Sequence, residues 1–371
     1  MIKVTYIISD INKAIAFEWI ADSLDREQFE LTFILLNSSE PDIAKHLSDK
    51  GLKVYNILCR GKKDWVNAVF KTRSLLQHIK PEVVHCHLFQ ANIIGLVAAK
   101  LTGIQKRIYT RHHSSLHHVY FKKGVLWDKL CNLLATHIIA ITKNVRTILI
   151  DWEKAKASKV VLIPHGFDLE EFEYVQQDRI CHFKKKHCIE GKAPVIGVIS
   201  RFTKWKGVQF IIPAFKQLLH YHPNAVLMLL NAHGDYENEI KKYLADLSED
   251  TFRLIPFEND IAAAYKNMDI FIHVPIDDHS EAFGQIYVEA LAAGVPSIFT
   301  LSGIATDFIR HQENAYVVPF QDANANFLQM RHILSNPDLV QEVREQGIKD
   351  VKQNFSLKTM IYSLEKLYAR Q

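Results

Sequence analysis

The sequence predicts an α/β chain made of two doubly wound, parallel-sheet domains. Three observations predict it. Short apolar runs rich in Val and Ile alternate with helix-like runs along the whole chain, the pattern of βαβ units whose sheet is covered on both faces. The series breaks once, at the charged, strandless stretch DLEEFEYVQQDRICHFKKKHCIEGK (168–192), and restarts at PVIGVISR. The chain also has 371 residues, 48% of them hydrophobic, which suffices for two cores.

Taken in order, IKVTYIIS reads as a strand and AIAFEWIADSLD as an amphipathic helix. FELTFILLN and VVHCHLF are strands, QANIIGLVAAKLTGI is a helix, and RIYTRH, HIIAITK and KVVLIPHG are further strands. The second set runs PVIGVISR, AVLMLLN, FRLIPF, DIFIHV and PSIFT, with helices between. The expected boundaries are 1–168 for the first domain, 169–192 for a linker and 193–355 for the second domain. FSLKTMIYSLEKLYARQ follows the last strand and can pack on either domain.

The net charge is +4, from 45 basic and 41 acidic side chains, too mild a balance to imply nucleic acid. Five scattered cysteines, Cys59, Cys86, Cys131, Cys181 and Cys188, suit a reducing compartment better than a disulfide framework. The opening residues lack the pattern of a signal peptide, and no run of about twenty apolar residues appears, so the expected location is cytoplasmic. YFKKGVLWDKLCNLLATH mixes Lys122, Lys123 and Trp127 with aliphatics. It suits peripheral contact with an anionic inner membrane face, and equally a domain-packing helix with exposed lysines.

In open parallel sheets, ligands bind outside the carboxyl ends of the strands, so functional residues are sought there. After VIGVIS comes RFTKWKG, with Arg201, Lys204, Lys206 and Gly207. Cations on a turn that opens a helix suit a diphosphate: arginine forks onto phosphate oxygens, lysine adds a point charge, and the helix start adds N–H donors. A solvated basic loop is the plain alternative. After DIFIHV comes PIDDHSEAFGQIYVEALAAG, where Glu281 and Glu289 have seven residues between them. Glu281 precedes the helix, Phe283 and Gly284 offer backbone N–H groups at its start, and Glu289 lies about two turns on, within reach of a ribose. The plain alternative is a capping acid and an exposed helical glutamate. After PSIFT, Ser302 and Gly303 can present backbone N–H groups to an anion. In the first half, His112 or His113 can handle protons or hydrogen bonds at a strand end, although partly exposed loop histidines are the simpler reading of His113, His117 and His118.

Other signals are set aside. Cys181 and Cys188 are too far apart on a helix to share a zinc ion. His85 and His87 in HCH alternate on a strand and read as a histidine pair sharing one face rather than a metal site. Asp277 and Asp278 form no strong metal motif. No Gly-x-Gly-x-x-Gly follows the first strand, and EGKA is no P-loop.

Together these residues resemble a retaining glycosyltransferase of family 4, and the resemblance covers nearly the whole chain. VVHCHLFQANIIGLVAAKLTGIQKRIYTRHH is similar to the family's strand–helix–strand ending in a cleft histidine, KVVLIPHGFDLEEF to its domain junction, GVISRFTKWKG to its phosphate clamp, and EAFGQIYVEALAAGVPSI to its glutamate pair. The resemblance implies the GT-B fold, two Rossmann-like domains facing a cleft, with the last helix, 356–371, returned to the first domain. It implies that Arg201 and Lys206 hold the donor diphosphate, that Glu281 with the Phe283–Gly284 backbone touches the transferred sugar, that Glu289 binds the ribose and that His112 contacts the sugar. Three departures stand out: the first loop lacks a glycine pair, Asn231 replaces a common glycine, and Asp307 a common glutamate.

The expected activity is transfer of a sugar from a UDP- or GDP-linked donor to a glycan or lipid-linked acceptor, in cell-surface polysaccharide synthesis. The nucleotide sugar is a co-substrate, and neither a cofactor nor a metal is expected. A sugar-nucleotide epimerase and a non-catalytic nucleotide-sugar-binding protein are the alternatives from the same fold.

Overall fold

The computed structural model describes residues 1–370, which form two units. One comprises Met1–Phe167 together with the chain from Leu357 onward, and the other Asp168–Ser356.

The first unit holds a seven-stranded, all-parallel sheet. Its strands are β1 (Ile2–Ser9), β2 (Phe29–Asn37), β3 (Lys53–Leu58), β4 (Val83–His87), β5 (Lys106–Arg111), β6 (His137–Ala140) and β7 (Val160–Leu162), in the order β3-β2-β1-β4-β5-β6-β7. The order reverses between β1 and β4, which puts the topological switch point beside the ends of those strands. Strand β3 has no counterpart in the sequence reading. It is an edge strand whose residues are mostly part-exposed, so KVYNIL shows no continuous apolar run. The helix Leu357–Ala369 belongs to this unit because Met360, Ile361, Leu364, Leu367 and Tyr368, spaced for one helical face, join the core of Val4, Tyr6, Ile8 and Phe29.

The second unit holds a six-stranded parallel sheet: β8 (Val195–Ile199), β9 (Val226–Leu230), β10 (Phe252–Ile255), β11 (Ile270–His273), β12 (Ser297–Phe299) and β13 (Tyr316–Val317), in the order β10-β9-β8-β11-β12-β13. Its switch point lies between β8 and β11. The two-residue β13 is too short to show a pattern in the sequence. The helix Val208–Leu218 buries Val208, Ile211, Ile212, Phe215 and Leu218 on one stripe against this sheet.

Residues 169–192, expected as a linker, are built into the second unit. They carry helices Glu170–Glu173 and Gln177–Lys186. Their charges are fasteners: Arg179 forks onto Asp260 at 2.8 and 2.6 Å, while Lys186 and His187 reach Glu258 at 2.7 and 2.6 Å. Among the described residues no helix is long and apolar enough to cross a membrane.

Candidate functional site

The second unit's site is built at its switch point. Leaving β8, the chain turns through Arg201 and a 3-10 turn, Lys204–Lys206, into the helix Val208–Leu218. Gly207 makes this turn possible: it has φ +78°, and a Cβ there would lie 1.8 Å from the Val274 carbonyl oxygen at the end of β11. The two strand ends are also tied by Ile276 N–H donating to the Trp205 carbonyl at 3.0 Å.

This close approach brings Lys206 to Glu281. The Lys206 ammonium forms an ion pair and hydrogen bond with Glu281 Oε1, and it also sits 4.4 Å from the Trp205 ring centroid. Glu281 is buried, and the same oxygen lies 3.0 Å from His273 Nε2 at the end of β11. Burial pushes the Glu281 carboxyl up, but the Lys206 charge and the His273 hydrogen bond outweigh it and hold it down at about 2. Burial likewise lowers His273 to about 4, against the pull of Glu281.

The loop carrying Glu281 is clamped from β12. Ser302 Oγ accepts from Glu281 N–H at 3.3 Å, and Ile304 N–H donates to the Phe283 carbonyl at 2.8 Å. Gly303 makes room: with φ +56°, its Cβ would meet Phe283 O at 2.6 Å and Glu281 Cβ at 2.8 Å. Phe283 is buried, and Gly284 caps the helix Gln285–Ala292.

Glu289 is buried on that helix. It accepts from Tyr265 Oη and Gln285 Nε2, each at 3.0 Å. Burial raises its carboxyl to about 7 despite these two bonds. The structure therefore brings together Lys206, Glu281, Phe283, Ser302 and Gly303. It gives Glu289 a separate set of partners and leaves Arg201 exposed at the turn after β8. Of the sequence departures, Asn231 keeps the backbone a glycine would give, with φ +58°.

Sequence reasoning missed His273, Tyr265 and Gln285. His273 had a usable signal, since it ends a strand at the switch point. Tyr265 and Gln285 had none: each matters only through the fold that sets it against Glu289.

In the first unit, His112 follows β5. Its Nε2 lies 3.0 Å from Nδ1 of His87, the last residue of β4, and its ring stacks on His165 at 5.4 Å. His85 and His87 do share a face, with ring centroids 4.1 Å apart. His85 bridges Tyr368 of the last helix at 2.7 Å and Thr110 at 2.8 Å. Burial, reinforced by neighbouring histidines, pushes His87 and His112 well below the usual imidazole range, so both are neutral at pH 7.

His113 is part-exposed in the loop as expected, whereas His117 and His118 lie on the short helix Leu116–Val119 with His117 buried, and all three are tied into a polar network. Asp128 meets His117 Nδ1 at 2.6 Å, His113 Nε2 at 3.4 Å and the Arg111 guanidinium at 3.1 Å, and Glu153 meets His118 Nε2 at 3.3 Å. His113, His117 and Asp128 have the spacing of metal ligands, but Arg111 already places a fixed cation on Asp128. Asp277, Asp278 and His279 also cluster, with His279 Nδ1 bonded to Asp278 at 2.8 Å. Cys181 and Cys188 are exposed.

The family model described as glycosyl transferases group 1 matches residues 181–350, and the model for Glycosyltransferase Family 4 matches residues 20–171. The chain is a glycosyltransferase. The first match spans Arg201, Lys206, Glu281 and Glu289, and the second spans His112. The enzyme is 29% identical over 309 residues to the capsular polysaccharide biosynthesis glycosyltransferase CapM of Staphylococcus aureus, covering 82% of this chain and 80% of that protein. It is 22% identical over 320 residues to an Escherichia coli UDP-Gal:alpha-D-GlcNAc-diphosphoundecaprenol alpha-1,3-galactosyltransferase, covering 81% and 79%. Among solved structures, Anabaena HepE in complex with UDP superposes with a TM-score of 0.82 at 17% identity, covering 99% of both chains. The fold of this glycosyltransferase is therefore GT-B.

Proposed function

We propose that the enzyme transfers a sugar from a UDP-sugar, with retention of anomeric configuration, to a glycan or lipid-linked acceptor in cell-surface polysaccharide assembly, working at the inner face of the membrane. The observation that carries the reading is the Lys206–Glu281 ion pair at the switch point of the second sheet, with Glu289 on the helix that follows. A diphosphate entering beside Lys206 shares its ammonium with Glu281, and exposed Arg201 supplies the second cation. As the sugar–phosphate bond loosens, negative charge grows on the departing diphosphate, and preorganised cations stabilise that state more than the bound donor. The leaving phosphate takes the acceptor's proton, so the protein need supply no strong base. Glu281 and the Phe283–Gly284 backbone bind the transferred sugar, Ser302 and Gly303 line the phosphates, Glu289 takes the ribose hydroxyls and His112, neutral, bonds to the sugar. The chain's own cations serve the leaving group, and no divalent ion has a role in this reading.

The relatives support the donor and acceptor classes: HepE is solved in complex with UDP and with UDP-glucose, CapM is a capsular polysaccharide biosynthesis glycosyltransferase, and the E. coli galactosyltransferase uses UDP-Gal and a GlcNAc-diphosphoundecaprenol. A thermal-shift panel of UDP- and GDP-sugars tests the donor, with stabilisation by a UDP-sugar expected. NMR of the product then reads the anomeric configuration. An epimerised donor formed without acceptor overturns the transfer reading, and an inverted product overturns retention.

A further inference from the structure

We propose that the outer face of helices Trp65–Ile79 and Gly124–Leu134 in the first unit docks on an anionic lipid bilayer. The inference deepens, and rests for its purpose on, the reading of a membrane-side acceptor. Its physical basis is separate. The helix Gly124–Leu134 is turned inside out for a helix facing water. Its polar residues Asp128 and Asn132 are buried, held by Arg111 at 3.1 Å, His117 at 2.6 Å and Glu153 at 2.8 Å. Its outer face carries leucines instead: Leu126 and Leu133 are 73% and 74% exposed, with part-buried Leu130 between them at helical spacing. Phe121, just before the helix, is also exposed.

Trp127 joins this ridge to the neighbouring helix by meeting Trp65 edge-on at 5.5 Å, and there Val66 and Phe70, one turn apart, are 68% and 59% exposed. Exposed apolar side chains on two helices joined through the Trp65–Trp127 contact mark an interaction site. The charge selects the partner. Residues 116–134 carry Lys122, Lys123 and Lys129, and their single acid, Asp128, is buried. Lys62 and Lys63 precede the other helix in a turn where Asp64 offsets one of them, leaving a net positive charge. Apolar side chains rimmed by lysines suit insertion among acyl chains beneath anionic headgroups. A second copy of the same face would set lysines against lysines.

The test is sedimentation of the full chain with vesicles of phosphatidylcholine alone or mixed with phosphatidylglycerol. The protein is expected to partition onto the anionic vesicles, weakly or not at all onto the neutral ones, and less as salt is raised. Lys122→Gln/Lys123→Gln/Lys129→Gln is expected to weaken partitioning by on the order of a hundredfold. Leu126→Ser/Leu133→Ser, at exposed positions that leave folding intact by circular dichroism, is expected to weaken it at least tenfold. Equal binding to both vesicle types, unaltered binding by both variants, or a dimer in light scattering that the leucine variant abolishes, each overturns the proposal. Nucleotide-sugar binding, measured on the same samples by thermal shift, reports on the transferase reading independently, so the two can fail separately.

Discussion

Lys206 and Glu281 form an ion pair across the topological switch point of the second sheet, one from the loop after β8 and the other from the loop after β11. Each needs the other. Glu281 stays ionised in a buried place because of Lys206, and Lys206 is aimed by a carboxylate fixed through His273 and Ser302. Lys206→Ala is expected to lower turnover by roughly 100-fold or more, the scale of a lost transition-state donor. Steady-state rates at saturating donor check this, and a near-normal rate would refute the role.

Glu289 and Glu281 have opposite pH signatures. Glu289 is raised from 4.5 to about 7, so between those values the folded chain keeps a proton that the unfolded chain has released. Stability attributable to it falls as pH rises through that window and levels off above it. Glu281, held at about 2, contributes stability that is complete above its ordinary 4.5 and is lost as pH falls toward 2. Denaturation of the wild type and Glu289→Gln from pH 4.5 to 8 should show the variant gaining on the order of 2–3 kcal/mol relative to wild type as pH rises. A flat difference across that range would contradict the assignment.

On the proposed ribose role, the same Glu289→Gln variant should bind the donor less well above pH 7, where an ionised carboxylate would accept both ribose hydroxyls. Calorimetric titration with UDP-sugar at pH 6 and 8 measures it. Wild-type affinity is expected to rise between those points, and the variant's to stay constant.

Gly303→Ala places a Cβ against Phe283 O and Glu281 Cβ at a positive φ. The backbone must move, at a cost of about 1–3 kcal/mol, and the loop carrying Glu281 moves with it. Chemical denaturation should report the lost stability, and the donor KM should rise. Unchanged values for both would show that the loop tolerates the methyl group.

His112 is neutral at physiological pH, held so by burial and by His165 and its histidine neighbours. His112→Ala should lower kcat/KM by roughly tenfold, the size of a lost neutral hydrogen bond. The rate profile between pH 5 and 8 should keep the same shape in wild type and variant. An inflection near 6.5 present only in the wild type would mean that His112 titrates there and acts as an acid or base.

The elements that were legible are those with local signatures. Buried strands such as VIGVI and VLMLL are continuous apolar runs, and the E-AFG-E segment carries glycine, helix start and acids in one short stretch. Edge strand β3 and the two-residue β13 escaped because neither is long or buried enough to carry a period. The linker reading failed because Arg179, Lys186 and His187 look solvated until Asp260 and Glu258 are found opposite them, more than seventy residues later.

The sequence alone determined that the chain is a pair of parallel α/β units and which cations and acids stand at strand ends, because apolar periodicity and turn residues act between near neighbours. Tertiary structure decided the pairings: Lys206 with Glu281 and His273, Glu289 with Tyr265, His112 with His87. These join residues brought side by side by strand order, and burial there shifts a carboxyl down to about 2 in one place and up to about 7 in another. Protonation in a buried site depends on which charge lies within a few ångströms, a distance that chain position does not specify.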